Sequence, residues 1–169
     1  MTAIAFLVGI VAALGAASHQ ALLDDTDFDR TLVAVWVIAA GGVQGLFGYW
    51  ILGAALYGGL SAVGQPGTYR NARHLLAFAA VPLALALLVV WPLRLTAFGD
   101  DVFRAGGDDH GSLAVALDVL QVGLDLWAAA LLLLGIRVVH GWSWGRSLAA
   151  GGVTLAVVVA LAFAFSLVA

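Results

Sequence analysis

The sequence predicts an all-α polytopic membrane protein, a bundle of five transmembrane helices forming one domain over residues 1–169. Three observations carry this. The chain is 63% hydrophobic and 10% charged, against about 45–50% apolar and about 25% charged in soluble domains. It divides into five apolar stretches, each long enough to cross a hydrocarbon core of about 30 Å. Finally, its continuous Leu, Ala and Val runs lack the alternation of a membrane β-barrel, which leaves helices to satisfy the backbone inside lipid. The five spans use up nearly all 169 residues, so no separate soluble domain is expected.

The first stretch is Ala3 to Leu23. Its segment Ala12-Ala13-Leu14-Gly15-Ala16-Ala17-Ser18 has the small-residue character of a signal-peptide end, but no Arg or Lys precedes Arg30, so we read it as a retained helix. The second, Leu32 to Ser61, contains Gly41 and Gly45 as a GxxxG pair among further glycines at 42, 48, 53, 58 and 59. Small residues let helices approach closely inside lipid. Packing within the bundle is one use for that face, and a homo-oligomer or another protein partner docked on this Gly-rich helix is the other. At about 1.5 Å per residue this stretch is longer than the bilayer is thick, so it should tilt or break near Gly58-Gly59.

The third stretch, Leu75 to Leu95, holds Pro82 and Pro92, each of which removes a backbone donor and favours a kink. The fourth is Ser112 to Val139 and the fifth Leu148 to Ala169. The loops before the third and fifth helices carry Arg70, Arg73, Arg137 and Arg146 without an acid, whereas the other two carry Arg30, Arg94 and Arg104 beside eight Asp. Counted by basic residues, this places the N-terminus in the cytoplasm and the C-terminus outside, in the cell membrane. Trp142 and Trp144 beside Arg146 then read as an interface anchor on the cytoplasmic side.

Composition also excludes function classes. Without Cys there is no disulfide, thiolate metal site or cysteine nucleophile. All ten acids are Asp and all seven bases Arg, for a net charge of −3, so nothing favours a nucleic-acid partner and the partner to expect first is the lipid bilayer. No Ser/His/Asp spacing, HExxH, Walker loop or GxGxxG is present, so no catalytic residue, metal or cofactor is assigned. Asp24-Asp25-Thr26-Asp27-Phe28-Asp29 lacks the glycine turn and terminal Glu of an EF-hand and reads as a solvated acidic loop. Gly99-Asp100-Asp101 recurs as Gly107-Asp108-Asp109 ahead of His110, where a weak divalent site is the alternative to a solvated loop.

The candidate polar site lies inside the fourth helix. Asp118 and Asp125 are seven residues apart, on nearly one helical face, with Gln121 between them. An intramembrane acid is a functional-site hypothesis by default. Counting inward at about 1.5 Å per residue puts Asp125 near mid-membrane and Asp118 within about 10 Å of the outer end. Gln44, Gln121 and Thr154 fall at depths that make them hydrogen-bond partners for Asp125, and Arg94 can reach Asp118. Two uses follow: hydrogen bonding between helices, or a proton or cation path. Internal repeats of the kind common in secondary transporters are not evident.

One run of features has a counterpart elsewhere. Tyr57-Gly58-Gly59 is followed by Gly67-Thr68-Tyr69-Arg70 and then by Ala77-Phe78-Ala79-Ala80-Val81-Pro82-Leu83. After these come Leu124-Asp125-Leu126-Trp127, Leu134-Gly135-Ile136 and Gly141-Trp142-Ser143-Trp144-Gly145-Arg146-Ser147. This order resembles the Yip1 family of multispanning membrane proteins over about residues 45–169. The resemblance implies a five-helix fold with a cytoplasmic N-terminus, in a family associated in eukaryotes with Golgi and endoplasmic-reticulum traffic and with Rab GTPases. The soluble cytoplasmic segment usual before the family's first helix has no counterpart here. The family offers no catalytic residues to transfer. Two function classes result: a non-enzymatic protein organising partners or the bilayer, and a small transporter or proton/cation pathway using Asp118 and Asp125.

Overall fold

The computed structural model describes residues 1–25, 28–64 and 67–166; Thr26 and Asp27 of the acidic run and residues 167–169 of the fifth predicted span lie outside them. Among the described residues the structure is helical throughout, without a strand. Helix α1, Thr2–His19, ends before Gln20 and Ala21 turn the chain into one 3-10 turn, Leu22–Asp24. Helix α2, Arg30–Trp36, starts where Asp29 accepts a hydrogen bond from Leu32 N at 2.7 Å, meeting one of the donors a helix start leaves free. A π-helical turn, Val37–Gly41, leads into α3, Gly42–Val63, so that the second span is continuous over Arg30–Val63.

The break expected near Gly58-Gly59 is absent, because α3 runs through both glycines. Gly59 serves instead as a point of close approach: a Cβ there would collide with Ala150 O and Thr154 of the last helix. The irregularity sits at the π turn, at the level where Gly41 meets α1.

The third span, Tyr69–Phe103, consists of α4 (Tyr69–Ala79), α5 (Val81–Leu88), α6 (Val90–Phe98) and a closing 3-10 segment, Gly99–Phe103. It starts before the predicted Leu75, since the Thr68 side chain accepts from Asn71 N at 3.2 Å and caps a polar first turn that composition alone assigns to the loop. Both prolines act as expected. Pro82 and Pro92 lack the N–H groups that would reach Phe78 and Leu88, and the helix is interrupted at Ala80 and Val89.

Helix α7, Ser112–His140, closes at Gly141, whose φ of 64° lets Trp142 N reach back to Arg137 O at 3.1 Å. Helix α8, Trp144–Ser166, begins four residues before the predicted Leu148. The five spans are thus Thr2–His19, Arg30–Val63, Tyr69–Phe103, Ser112–His140 and Trp144–Ala164, all long and apolar enough to cross a membrane.

Helix α3 is the centre of the bundle, with α1, α4 and α8 packed on it, while α7 leans on α4, α5, α6 and α8. The α1–α3 contact is backbone against backbone. Ala5, Gly9 and Ala13 recur every four residues along α1 and meet Gly41 and Gly45; a Cβ on Gly9 would fall on Gly41 O and Gly45 Cα. Gly41 and Gly45 are therefore filled from within the chain. At one end of the bundle Ile10, Ala17, Val33, Val37, Trp91 and Phe103 form a core beneath the acidic loops. At the other, beside the arginine-bearing loops, Leu56, Leu60, Ala72, Ile136 and Ala150 form a second. These are called the acidic and basic ends below.

Candidate functional site

Helix α7 is the least covered of the internal helices. Val119, Val122 and Leu126 on it are exposed, as apolar side chains facing lipid would be. On this helix Asp118, Gln121 and Asp125 form one polar strip. At its acidic-end limit, Arg94 of α6 donates to Asp118 Oδ1. The pair is uneven: the Arg94 side chain is 19% exposed and Asp118 65%, so the arginine stays largely covered by the bundle while the carboxylate faces outward. Arg94 also lies 5.8 Å from the Trp91 ring, which holds its stem against α6.

Beside this pair is a cavity of about 290 Å³ between α1, α6 and α7, lined by Ser18, His19, Trp91, Arg94, Asp118 and Gln121. Gln121 continues the strip inward, its Nε2 donating to Asp125 Oδ1 at 2.9 Å. Asp125 is itself exposed and borders a shallow cavity of about 300 Å³ against the interruption between α4 and α5, with Leu76, Ala80, Leu83, Ala128 and Leu132. Apart from Asp125 that lining is apolar.

Of the partners predicted for Asp125, only Gln121 is brought to it. Gln44 opens onto another cleft, with Gly45 and Gly48, that shares Leu76, Ala80 and Leu83 with the cavity beside Asp125 but does not include Asp125. Thr154 donates to Ala150 O at 2.8 Å and sits against Gly59 on the α3–α8 side. Equal depth did not mean equal azimuth, and helix rotation about its axis is set by packing that depth counting ignores.

A site the sequence reading used only for charge counting stands at the basic end. Arg73 of α4 lies with its guanidinium carbon 3.7 Å from the Trp50 ring centroid, 4.8 Å from that of Tyr69 and 5.4 Å from that of Tyr49. Tyr69 donates its hydroxyl to Trp50 O at 2.8 Å, tying the cluster to α3. Arg73 Nε is buried without a hydrogen-bond partner among the described residues. Gly53 makes room for the arginine stem, since a Cβ there would strike Arg73 Cγ. The spacing of Tyr69 and Arg73, four apart and opposite the Tyr49-Trp50 pair, was the signal available in the sequence.

Trp142 and Trp144 close the basic end. His140 and Trp142 rings lie 4.8 Å apart, and the Arg137 guanidinium carbon is 4.6 Å from the Trp144 ring. Among the described residues no group of three or more His, Cys, Asp or Glu could hold a metal ion.

Neither a curated protein nor a solved structure matches the chain. A family model, the Yip1 domain, matches residues 1–167. That match goes beyond the resemblance over residues 45–169 by taking in α1 and its small-residue face toward α3. With essentially its whole length matched and five helices fit to span a bilayer, this integral membrane protein belongs to the Yip1 family.

Proposed function

We propose that the protein is a non-enzymatic organiser in the cell membrane, holding a partner membrane protein in a trafficking-type role, with its N-terminus in the cytoplasm. The observation that supports this most directly is the polar strip on the exposed side of α7. Asp125 and Gln121 meet each other and retain hydrogen-bonding capacity, with the exposed apolar side chains of Val119, Val122 and Leu126 around them. Carboxyl and amide groups in hydrocarbon are costly, and a neighbouring helix offering polar groups relieves that cost. A partner's transmembrane helix laid along α7 would do so. An association through α3 would use faces other than Gly41 and Gly45, which α1 already fills.

The second reading, a proton or cation pathway, draws on the cavity at Arg94 and Asp118 and on the chain of groups from Asp118 through Gln121 to Asp125. It is the weaker, because the rest of the lining of the cavity beside Asp125 is apolar.

Reconstitution into liposomes separates them. The parent protein is expected to carry no proton or cation flux above that of protein-free vesicles, and Asp125→Asn to keep partner association while Asp125→Leu loses it. A flux present in the parent and abolished in Asp125→Asn would replace the organiser with the transporter, since Asn neither exchanges a proton nor neutralises a cation.

A further inference from the structure

A cavity of about 500 Å³ lies at the acidic end between α1, α2 and α6, away from the α7 strip. Its wall is apolar, from Leu14, Val33, Leu87 and Phe103 down to Ile10 and Val37. Ala34, Ile38 and Leu95 line it and are themselves exposed, which puts the mouth on the bilayer side between α2 and α6. Two charged side chains line it, Arg30 and Asp100, joined as an ion pair. Arg30 begins α2, and Ile38 is eight residues further on, so the cavity runs from headgroup level about 12 Å toward the bilayer centre. The π-helical turn Val37–Gly41 supplies part of the deep wall, and such turns occur often at functional sites.

We propose that this cavity is a binding site for one phospholipid with a primary-amine headgroup, of the phosphatidylethanolamine type, from the leaflet at the acidic end. One acyl chain fills the apolar part. The headgroup phosphate takes the Arg30 guanidinium, which is 80% exposed and reachable, and the ammonium takes the Asp100 carboxylate. The zwitterion thus replaces both members of an exposed ion pair, and such pairs contribute little on their own. Charge selects the headgroup. Among the described residues seven Asp stand in the loops at this end against Arg30 and Arg104, with Arg94 paired to Asp118, so an anionic lipid is repelled, while a quaternary choline has no N–H to donate to Asp100.

The test is native mass spectrometry of the delipidated full chain in detergent, given phosphatidylethanolamine, phosphatidylcholine or phosphatidylglycerol separately, with thermal unfolding of each variant recorded without lipid. Phosphatidylethanolamine should be retained best. Asp100→Asn should bring it down about tenfold, to the choline level, the change that goes with loss of one charge-assisted hydrogen bond. Arg30→Gln should weaken both zwitterions alike, and Ala34→Trp, which fills the mouth from an exposed position, should reduce all three. Arg104→Gln, outside the cavity lining, should leave phosphatidylethanolamine retention unchanged. Equal retention of the three lipids, a preference for phosphatidylglycerol, or an Arg104→Gln effect as large as that of Asp100→Asn overturns the proposal. If Ala34→Trp fails to fold, the two rim variants decide it.

Discussion

Arg73 and Asp125 show how differently two charged side chains are treated within one bundle. Arg73 is turned into an aromatic box, where three rings replace part of its hydration. We expect Arg73→Gln to lower stability by about 1–2 kcal/mol, the range of a partly desolvated cation–π contact. Arg73→Lys should recover only part, because an ammonium does not stack flat on Trp50. Unfolding in mixed detergent, followed by Trp fluorescence, measures both; equal stability of Arg73→Gln and parent would remove the box from the account. Among the described residues Asp125 has one hydrogen-bond partner, Gln121 of its own helix. Asp125→Asn should therefore fold with unchanged melting temperature, and Asp125→Leu should lose on the order of 1 kcal/mol of association with the proposed partner helix along α7, the scale of one interhelical hydrogen bond. Förster transfer between labelled helices reads that loss.

Among the elements, the α1–α3 pair packs backbone against backbone. Gly9, Gly41 and Gly45 bring the two backbones into direct contact, and no side chain there can move aside to admit another. Gly45→Leu is expected to destabilise by more than about 3 kcal/mol, beyond ordinary overpacking, because its neighbours are the Ala5 carbonyl and the Gly9 backbone. Gly48→Ala, whose Cβ meets nothing, should be tolerated. A Gly45→Leu protein that melts with the parent would contradict the crossing. The third span works by the opposite principle. Its interruptions at Ala80 and Val89 divide it into α4, α5 and α6, so that α4 can seat Arg73 on α3 while α6 carries Arg94 to α7.

For the whole molecule the charge distribution is polarised. The acidic end is pinned by Arg30 to Asp100 and by Ala105 N donating to Asp24 at 2.7 Å, while the basic end carries Arg70, Arg73, Arg137 and Arg146 in a stretch of sequence without an acid, with Arg73 and Arg137 against aromatic rings. Positive loops stay on the cytoplasmic side. Residues 64–74 and 138–147 are therefore expected inside, and 24–30 and 96–111 outside. Because the chain has no Cys, single cysteines at Ser143 and Asp108 test this directly. An impermeant maleimide should label Asp108→Cys in intact cells and Ser143→Cys only after lysis; the reverse pattern would invert the protein.

The sequence by itself determined the number of spans, their helical nature, the proline interruptions and the reach of Arg94 to Asp118, because these depend on hydropathy, length and local backbone chemistry read one residue at a time. Tertiary structure alone decided which way each helix turns about its axis. That rotation put Gln44 and Thr154 away from Asp125, spent Gly41 and Gly45 on α1, carried α3 unbroken through Gly58-Gly59 with Gly59 against the last helix, and assembled Arg73 with rings from another span. The physical reason lies in the solvent. Lipid is as apolar as the residues of the bundle core, so no gradient of hydropathy marks the inner face of a membrane helix, and close packing of small residues and a few polar contacts fix it instead.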